Sequence, residues 1–294
     1  MALFEGAGVA IVTPMQDNYE LDFAKLEELI NFQIANDTDS IIIMGTTGEA
    51  STMSEEEHIE CVRMAVSITN KRIPVIAGTG SNDTKTALHL AKSAQGAGAD
   101  GLLVVTPYYN KATQGGLIRY YNRIAAAVDL PIILYNVPSR TGCNIAPETT
   151  AKLAKDVENI VGIKDATGDV TNALRIMQLT DGAFDLYSGE DGQVIPFLAA
   201  GGIGVISVLS NIAPKFTHDM IVSYLNGDRK KALDMQLKVL SLCDALFCEV
   251  NPIPVKTALN LMGMEAGPLR EPLTPMAVAN EERLKTAMKE FGLL

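Results

Sequence analysis

Short β-branched runs alternate with longer segments of helical period along most of the chain, and this alternation constrains the fold more than any other feature. The runs are GVAIVT from Gly8, IIIM from Ile41, PVIAG from Pro74, GLLVVT from Gly101, PIILYN from Pro131, IVGIKD from Ile160, FDLYSG from Phe184 and GVISVL from Gly204. Most are apolar at successive positions, as in parallel strands covered on both faces. Between them, Phe23, Leu26, Leu29, Ile30 and Ile34 recur at helical spacing, Ser54 and Glu57 form a capping-box pattern, and Pro147 suits a first helical turn. Strand–helix units in strict alternation imply right-handed crossovers and a parallel sheet, which a (β/α)8 TIM barrel closes within its usual size. A doubly wound open sheet is the structural rival, but no glycine fingerprint follows the first run.

From about Tyr224 the alternation stops. The expected division is a catalytic barrel over residues 1–223 and a C-terminal helical domain over 224–294, the latter serving packing or oligomerisation. Its last helix is expected to start at Thr274 and Pro275, with threonine as cap and proline in the first turn. One stretch, Gly192 to Pro214, has no charged residue and is long enough to span a bilayer. Pro196, Ser207, Ser210 and Asn211 argue instead for a buried helix and strand. The start, MALFEGAGVA, lacks a basic n-region, so a cytoplasmic location is expected. A net charge of −11 and the absence of tryptophan speak against nucleic acid or an anionic membrane as partner. Cys61, Cys143, Cys243 and Cys248 make no CxxC pair and no zinc spacing, which fits reduced, buried thiols.

In such a barrel the active site lies at the carboxyl ends of the strands, and the unusual polar residues fall there. GTTGE (45–49) follows the second run, TPYYN (106–110) the fourth, Tyr135 ends the fifth, Arg140 lies in the loop beyond, Lys164 ends the sixth, and SGE (188–190) follows the seventh. Lys164 is the sharpest signal, because burying an ammonium in VGIKD is costly unless it is paired or neutral. Removal from water favours the uncharged amine, which can attack a ketone and form a Schiff base. The structural alternative is a lysine that snorkels from the strand end or pairs with Asp165. Lys256, after two prolines in NPIPVK, is the other lysine out of place, and it reads as structural.

GTTGE serves equally as a tight turn or as a cluster of amides and hydroxyls that holds an oxyanion. Tyr135 can relay protons when hydrogen-bonded, or be a buried tyrosine with a satisfied hydroxyl. Arg140 in PSRTG suits bidentate carboxylate binding, and a solvated loop arginine is its plain alternative. His58, His89 and His218 are isolated, so no Ser-His-Asp order or metal triad assembles. Neither a metal nor an organic cofactor is expected.

GTTGE, YNVPSRTG and GIKDATGD stand together in the order and spacing of one family. Over essentially its whole length the chain resembles the pyruvate-dependent class I aldolases, the family of dihydrodipicolinate synthase and N-acetylneuraminate lyase. The resemblance implies that Lys164 forms an imine with pyruvate while Thr46 and Thr47 hold its carboxylate. Tyr135 would shuttle protons, linked through Thr47 to a Tyr109 supplied across a tight dimer interface. Gly189 and Ile206 match positions whose carbonyls face the pocket. Arg140 would bind the carboxylate of L-aspartate 4-semialdehyde. That favours the synthase branch, lyases of lysine and diaminopimelate biosynthesis that release 4-hydroxy-tetrahydrodipicolinate. The sialic-acid lyases typically lack this arginine. A sugar-acid aldolase and a catalytically silent binding barrel are the alternatives. The resemblance also implies a homotetramer built as a dimer of dimers. His58, Asn82 and Tyr108 match a lysine effector site, but Glu55 replaces a usual histidine there and Thr86 a usual glutamate. Losing a carboxylate against the effector's ammonium costs about 1–3 kcal/mol, so weak or absent lysine feedback is expected.

Overall fold

The computed structural model describes residues 2–294. Eight parallel strands close into one barrel in chain order: β1 (Gly6–Ala10), β2 (Ser40–Ile43), β3 (Val75–Gly78), β4 (Gly101–Val105), β5 (Ile132–Asn136), β6 (Ile160–Asp165), β7 (Asp185–Ser188) and β8 (Gly204–Ser207). β8 returns to β1 through pairs such as Gly6 with Gly204, so no edge is left unpaired. Around the barrel run α1 (Phe23–Ala35), α2 (Glu55–Thr69), α3 (Thr84–Ala97), α4 (Gln114–Ala125), α5 (Pro138–Thr141), α6 (Pro147–Asp156), α7 (Val170–Leu179), α8 (Val194–Ala199) and α9 (Pro214–Leu225). The tail adds α10 (Arg229–Leu246), α11 (Ile253–Leu261) and α12 (Val278–Phe291). The expected division at 223/224 thus falls inside the last turn of α9.

The unbroken apolar runs have a simple cause. In β2, Ile41 and Ile43 face the helices and pack with Leu26, Ile30 and Val62, while Ile42 between them faces the lumen. The lumen is filled by Ile42, Ile76, Leu103, Ile133, Tyr187 and Ile206, each such aliphatic side chain stabilising the fold by about 1.5–3 kcal/mol when buried. Its lower end is plugged by Phe4, whose ring stacks on Tyr187 at 4.6 Å and whose carbonyl accepts the Tyr187 hydroxyl at 2.8 Å.

Helix starts follow the local signals. The Ser54–Glu57 capping box forms in both directions at α2, and Pro147 occupies the first turn of α6. Two expectations are corrected. β1 begins at Gly6 and ends at Ala10, earlier than the run from Gly8, because Val12 N–H leaves the ladder for the Asn211 side-chain oxygen at 3.1 Å. α12 begins at Val278, and Thr274 caps nothing. Glu249 takes that task from a distance, its Oε1 accepting from Ala277 N at 2.9 Å and Asn280 Nδ2 at 2.8 Å. The uncharged stretch after Gly192 is α8 followed by buried β8, and no helix among the described residues is long and apolar enough to cross a membrane.

Candidate active site

Alternation along β6 brings a lysine inside. Ile163 and Asp165 turn outward, whereas Lys164 and Ala166 face the barrel axis. Asp165 therefore does not pair with its neighbour. Its carboxylate accepts from Asn172 Nδ2 at 2.6 Å and from Thr167 N at 2.9 Å, and burial holds its pKa above the usual range. Parallel register sets Tyr135 of β5 beside Lys164. The lysine is 6% exposed and its Nζ lies 4.5 Å from the centroid of the Tyr135 ring. Among the described residues no carboxylate lies within ion-pair distance of it.

A cavity of about 470 Å³ opens above Lys164, and Thr46, Thr47, Tyr135, Arg140, Gly189 and Glu190 share its wall. The GTTGE turn is bracketed by two non-glycine residues in the left-handed region, Met44 at φ 59° and Glu49 at φ 57°. Thr13 Oγ1 donates to the Gly48 carbonyl at 2.7 Å and ties the turn to the barrel. Gly189 has no room for a side chain, since a Cβ there would fall 2.5 Å from that of Ala166. Burial raises the pKa of Glu190 and, more deeply inside, of Asp191, whose carboxylate accepts from Ser207 Oγ at 2.6 Å and from Val208 N and Leu209 N, both at 2.9 Å.

Not every expected residue joins this group. Ile206 lies in the lumen and is not part of the cavity wall. Tyr109 is 89% exposed and away from the cavity, so one chain alone does not assemble the Tyr135–Thr47–Tyr109 relay. The Thr47 hydroxyl instead accepts from Asn251 Nδ2 at 2.9 Å, and Arg140 Nη2 donates to the Asn251 carbonyl at 3.2 Å. Asn251 was missed, as was the whole stretch Phe247–Asn251, which the tail contributes to the cavity wall. The only hint was the irregular NPIP segment. His58 and Tyr108 line a second, adjoining cavity of about 480 Å³ with Glu55 and Thr86. His58 Nε2 donates to the Gly78 carbonyl at 2.8 Å, and burial lowers its pKa. Asn82 stands outside that wall, its carbonyl accepting from Asn110 Nδ2 at 2.9 Å. Among the described residues no cluster of His, Cys, Asp and Glu could hold a metal ion.

A closed parallel barrel whose polar side chains converge on one cavity at the carboxyl end of its strands defines the (β/α)8 class of catalytic scaffold. Within that class the chain belongs to the dihydrodipicolinate synthetase family, whose model matches residues 3–291. It is 58% identical over 294 residues to the 4-hydroxy-tetrahydrodipicolinate synthase of Lachnoclostridium phytofermentans, with the whole of both chains covered. The crystal structure of dihydrodipicolinate synthase from Thermotoga maritima superposes with a TM-score of 0.97 at 46% identity, covering 100% of both chains. A chloride-inhibited dihydrodipicolinate synthase from Acinetobacter baumannii, solved in complex with pyruvate, matches with a TM-score of 0.96 at 46% identity over 99% of each chain.

Proposed function

We propose that this chain is a 4-hydroxy-tetrahydrodipicolinate synthase, a lyase that condenses pyruvate with L-aspartate 4-semialdehyde in lysine and diaminopimelate biosynthesis. The observation that carries the assignment of roles is the inward, unpaired Lys164 beside Tyr135 at the floor of the cavity. Its amine adds to the keto carbon of pyruvate and, with loss of water, leaves an imine. Loss of a methyl proton gives an enamine, which attacks the aldehyde carbon of the second substrate. The amino group of that substrate then displaces Lys164 and closes the ring. Tyr135 moves the protons. The amides and hydroxyls of Thr46 and Thr47 hold the pyruvate carboxylate, and Arg140 the carboxylate of the aldehyde.

Tyr109 reaches into the site of a second copy, which accounts for its exposure in a single chain, and two such dimers make the homotetramer. Four free cysteines accord with a cytoplasmic setting. With Glu55 and Thr86 in the second cavity, feedback by lysine is weak or absent. Half-inhibition by lysine at low micromolar concentration would rule that out. The catalytic assignment is tested by borohydride reduction with pyruvate and peptide mass analysis. A stable adduct on Lys164 is expected, and an unmodified Lys164 under conditions of full turnover overturns it.

A further inference from the structure

Glu49, the last residue of GTTGE, is itself almost wholly buried and both of its carboxylate oxygens are taken. Oε1 accepts from Lys256 Nζ at 2.8 Å, and Oε2 accepts from Arg270 N at 2.9 Å. Lys256, on α11, is 1% exposed, and its Nζ also donates to the Pro268 carbonyl at 2.5 Å. The Arg270 side chain continues outward, donating to both oxygens of Glu57 at 2.8 and 2.5 Å and to the Thr52 carbonyl at 3.1 Å. Glu57 is half of the capping box that starts α2. Asn251 holds Thr47 from the same side. The turn that faces Lys164 is thus tied to the barrel by Thr13, and fixed from without at Thr47, Glu49, Thr52 and Glu57 by residues of the C-terminal tail.

A buried ion pair is a poor choice for stability alone, because desolvation consumes much of what the attraction returns, and apolar replacements of the same volume do as well or better. Its distinctive property is geometric. A carboxylate with two fixed donors can sit in one place only, and here it anchors a residue held in the left-handed region, where a side chain is disfavoured. Its backbone is held within the turn, Glu49 N donating to the Thr46 carbonyl at 3.1 Å and Thr52 N and Oγ1 both donating to the Glu49 carbonyl at 3.1 Å, while Lys256 and Arg270 N tie its side chain to the tail. Displacing a binding loop by about 1 Å is enough to cost a large factor in rate.

We propose that the Glu49–Lys256 pair, extended by Arg270, is a positioning device that sets the height of the Thr46 and Thr47 amides over Lys164. Through it the tail governs how tightly the keto acid's carboxylate is held. This rests on the function proposed above, in which those amides take that carboxylate. Glu49 and Lys256 touch neither substrate. They act through the turn.

The test uses the full chain, with Lys256→Met and Glu49→Gln, at a temperature where circular dichroism shows each variant folded. Three quantities are read: the pyruvate concentration that half-saturates borohydride trapping, the aldehyde concentration that half-saturates turnover, and the rate at saturating pyruvate. Half-saturating pyruvate is expected to rise about tenfold or more in both variants, with the aldehyde value and the rate at saturating pyruvate nearly unchanged. Glu49→Gln keeps the side chain's shape and carries the same readout if Lys256→Met does not fold. Unaltered pyruvate saturation in a folded variant, or an equal rise in both half-saturating concentrations with a lowered rate, overturns the proposal. Absence of trapping in the unmodified protein would instead sink the proposed function itself.

Discussion

The barrel mouth and the seam between barrel and tail each bury a lysine, and the two are buried almost equally, at 6% and 1% exposure. What separates them is company. Lys256 is paired with Glu49 and with a carbonyl, so its surroundings oppose the burial that lowers its pKa. Lys164 ends against an aromatic ring and an open cavity. Burial alone therefore does not distinguish a working amine from a structural one. The absence of a partner, together with space for a ligand, does.

Substitutions can break or sharpen that contrast. The largest effect belongs to Lys164→Met, which removes the proposed covalent nucleophile. Turnover is expected to fall by about 10³-fold or more, while the melting temperature stays level or rises, since a buried polar group without a partner is removed. A variant that melts much earlier would place Lys164 with Lys256 as a structural residue. Lys256→Met has the opposite profile. Leaving Glu49 buried without its counter-charge costs about 3–5 kcal/mol of stability, measurable as a lowered midpoint in urea, whereas the double replacement Glu49→Leu with Lys256→Met recovers most of the loss.

Arg140→Ala is intermediate. Losing a hydrogen bond to a charged group, about 1.5–3 kcal/mol, should lower kcat/KM for the aldehyde about ten- to a hundredfold. Pyruvate trapping should stay intact, and an equal loss on both substrates would refute the assignment. The smallest effect concerns His58, a third buried ionisable group, with one carbonyl partner. Burial keeps its pKa below the usual 6.5, so the unfolded chain takes up a proton that the folded chain resists. Stability therefore falls as pH drops below about 6.5, until the folded state protonates too. His58→Gln should flatten that part of the pH–stability curve, and an unchanged curve would show that other groups set it.

How much of this was legible beforehand depended on whether a feature was local. The eight runs, the Ser54–Glu57 box and Pro147 announce themselves within a few residues, because period and capping are properties of neighbours in the chain. Lys164 and Tyr135 were legible too, because a strand's alternation and a barrel's geometry together put both at the inner carboxyl end. GTTGE and NPIPVK each stand out in the sequence, yet their pairing joins residues 207 apart, and no local rule connects such positions. The same limit explains Asn251 and the capping of α12 by Glu249. Thr274 and Pro275 looked like a helix start because the motif fits any helix start; the distant carboxylate that moved it is invisible in the order of residues. Tyr109 belongs to a different case, since the role proposed for it needs a second copy of the chain.

A ribosome delivers this molecule from its amino end, and the order of arrival matters here. A nascent chain halted at residue 246 already owns all eight strands and Lys164, but lacks Asn251, Lys256 and Arg270. On the function proposed above, a chain cut there would keep the scaffold and lose every contact that Asn251, Lys256 and Arg270 make with Thr47 and Glu49.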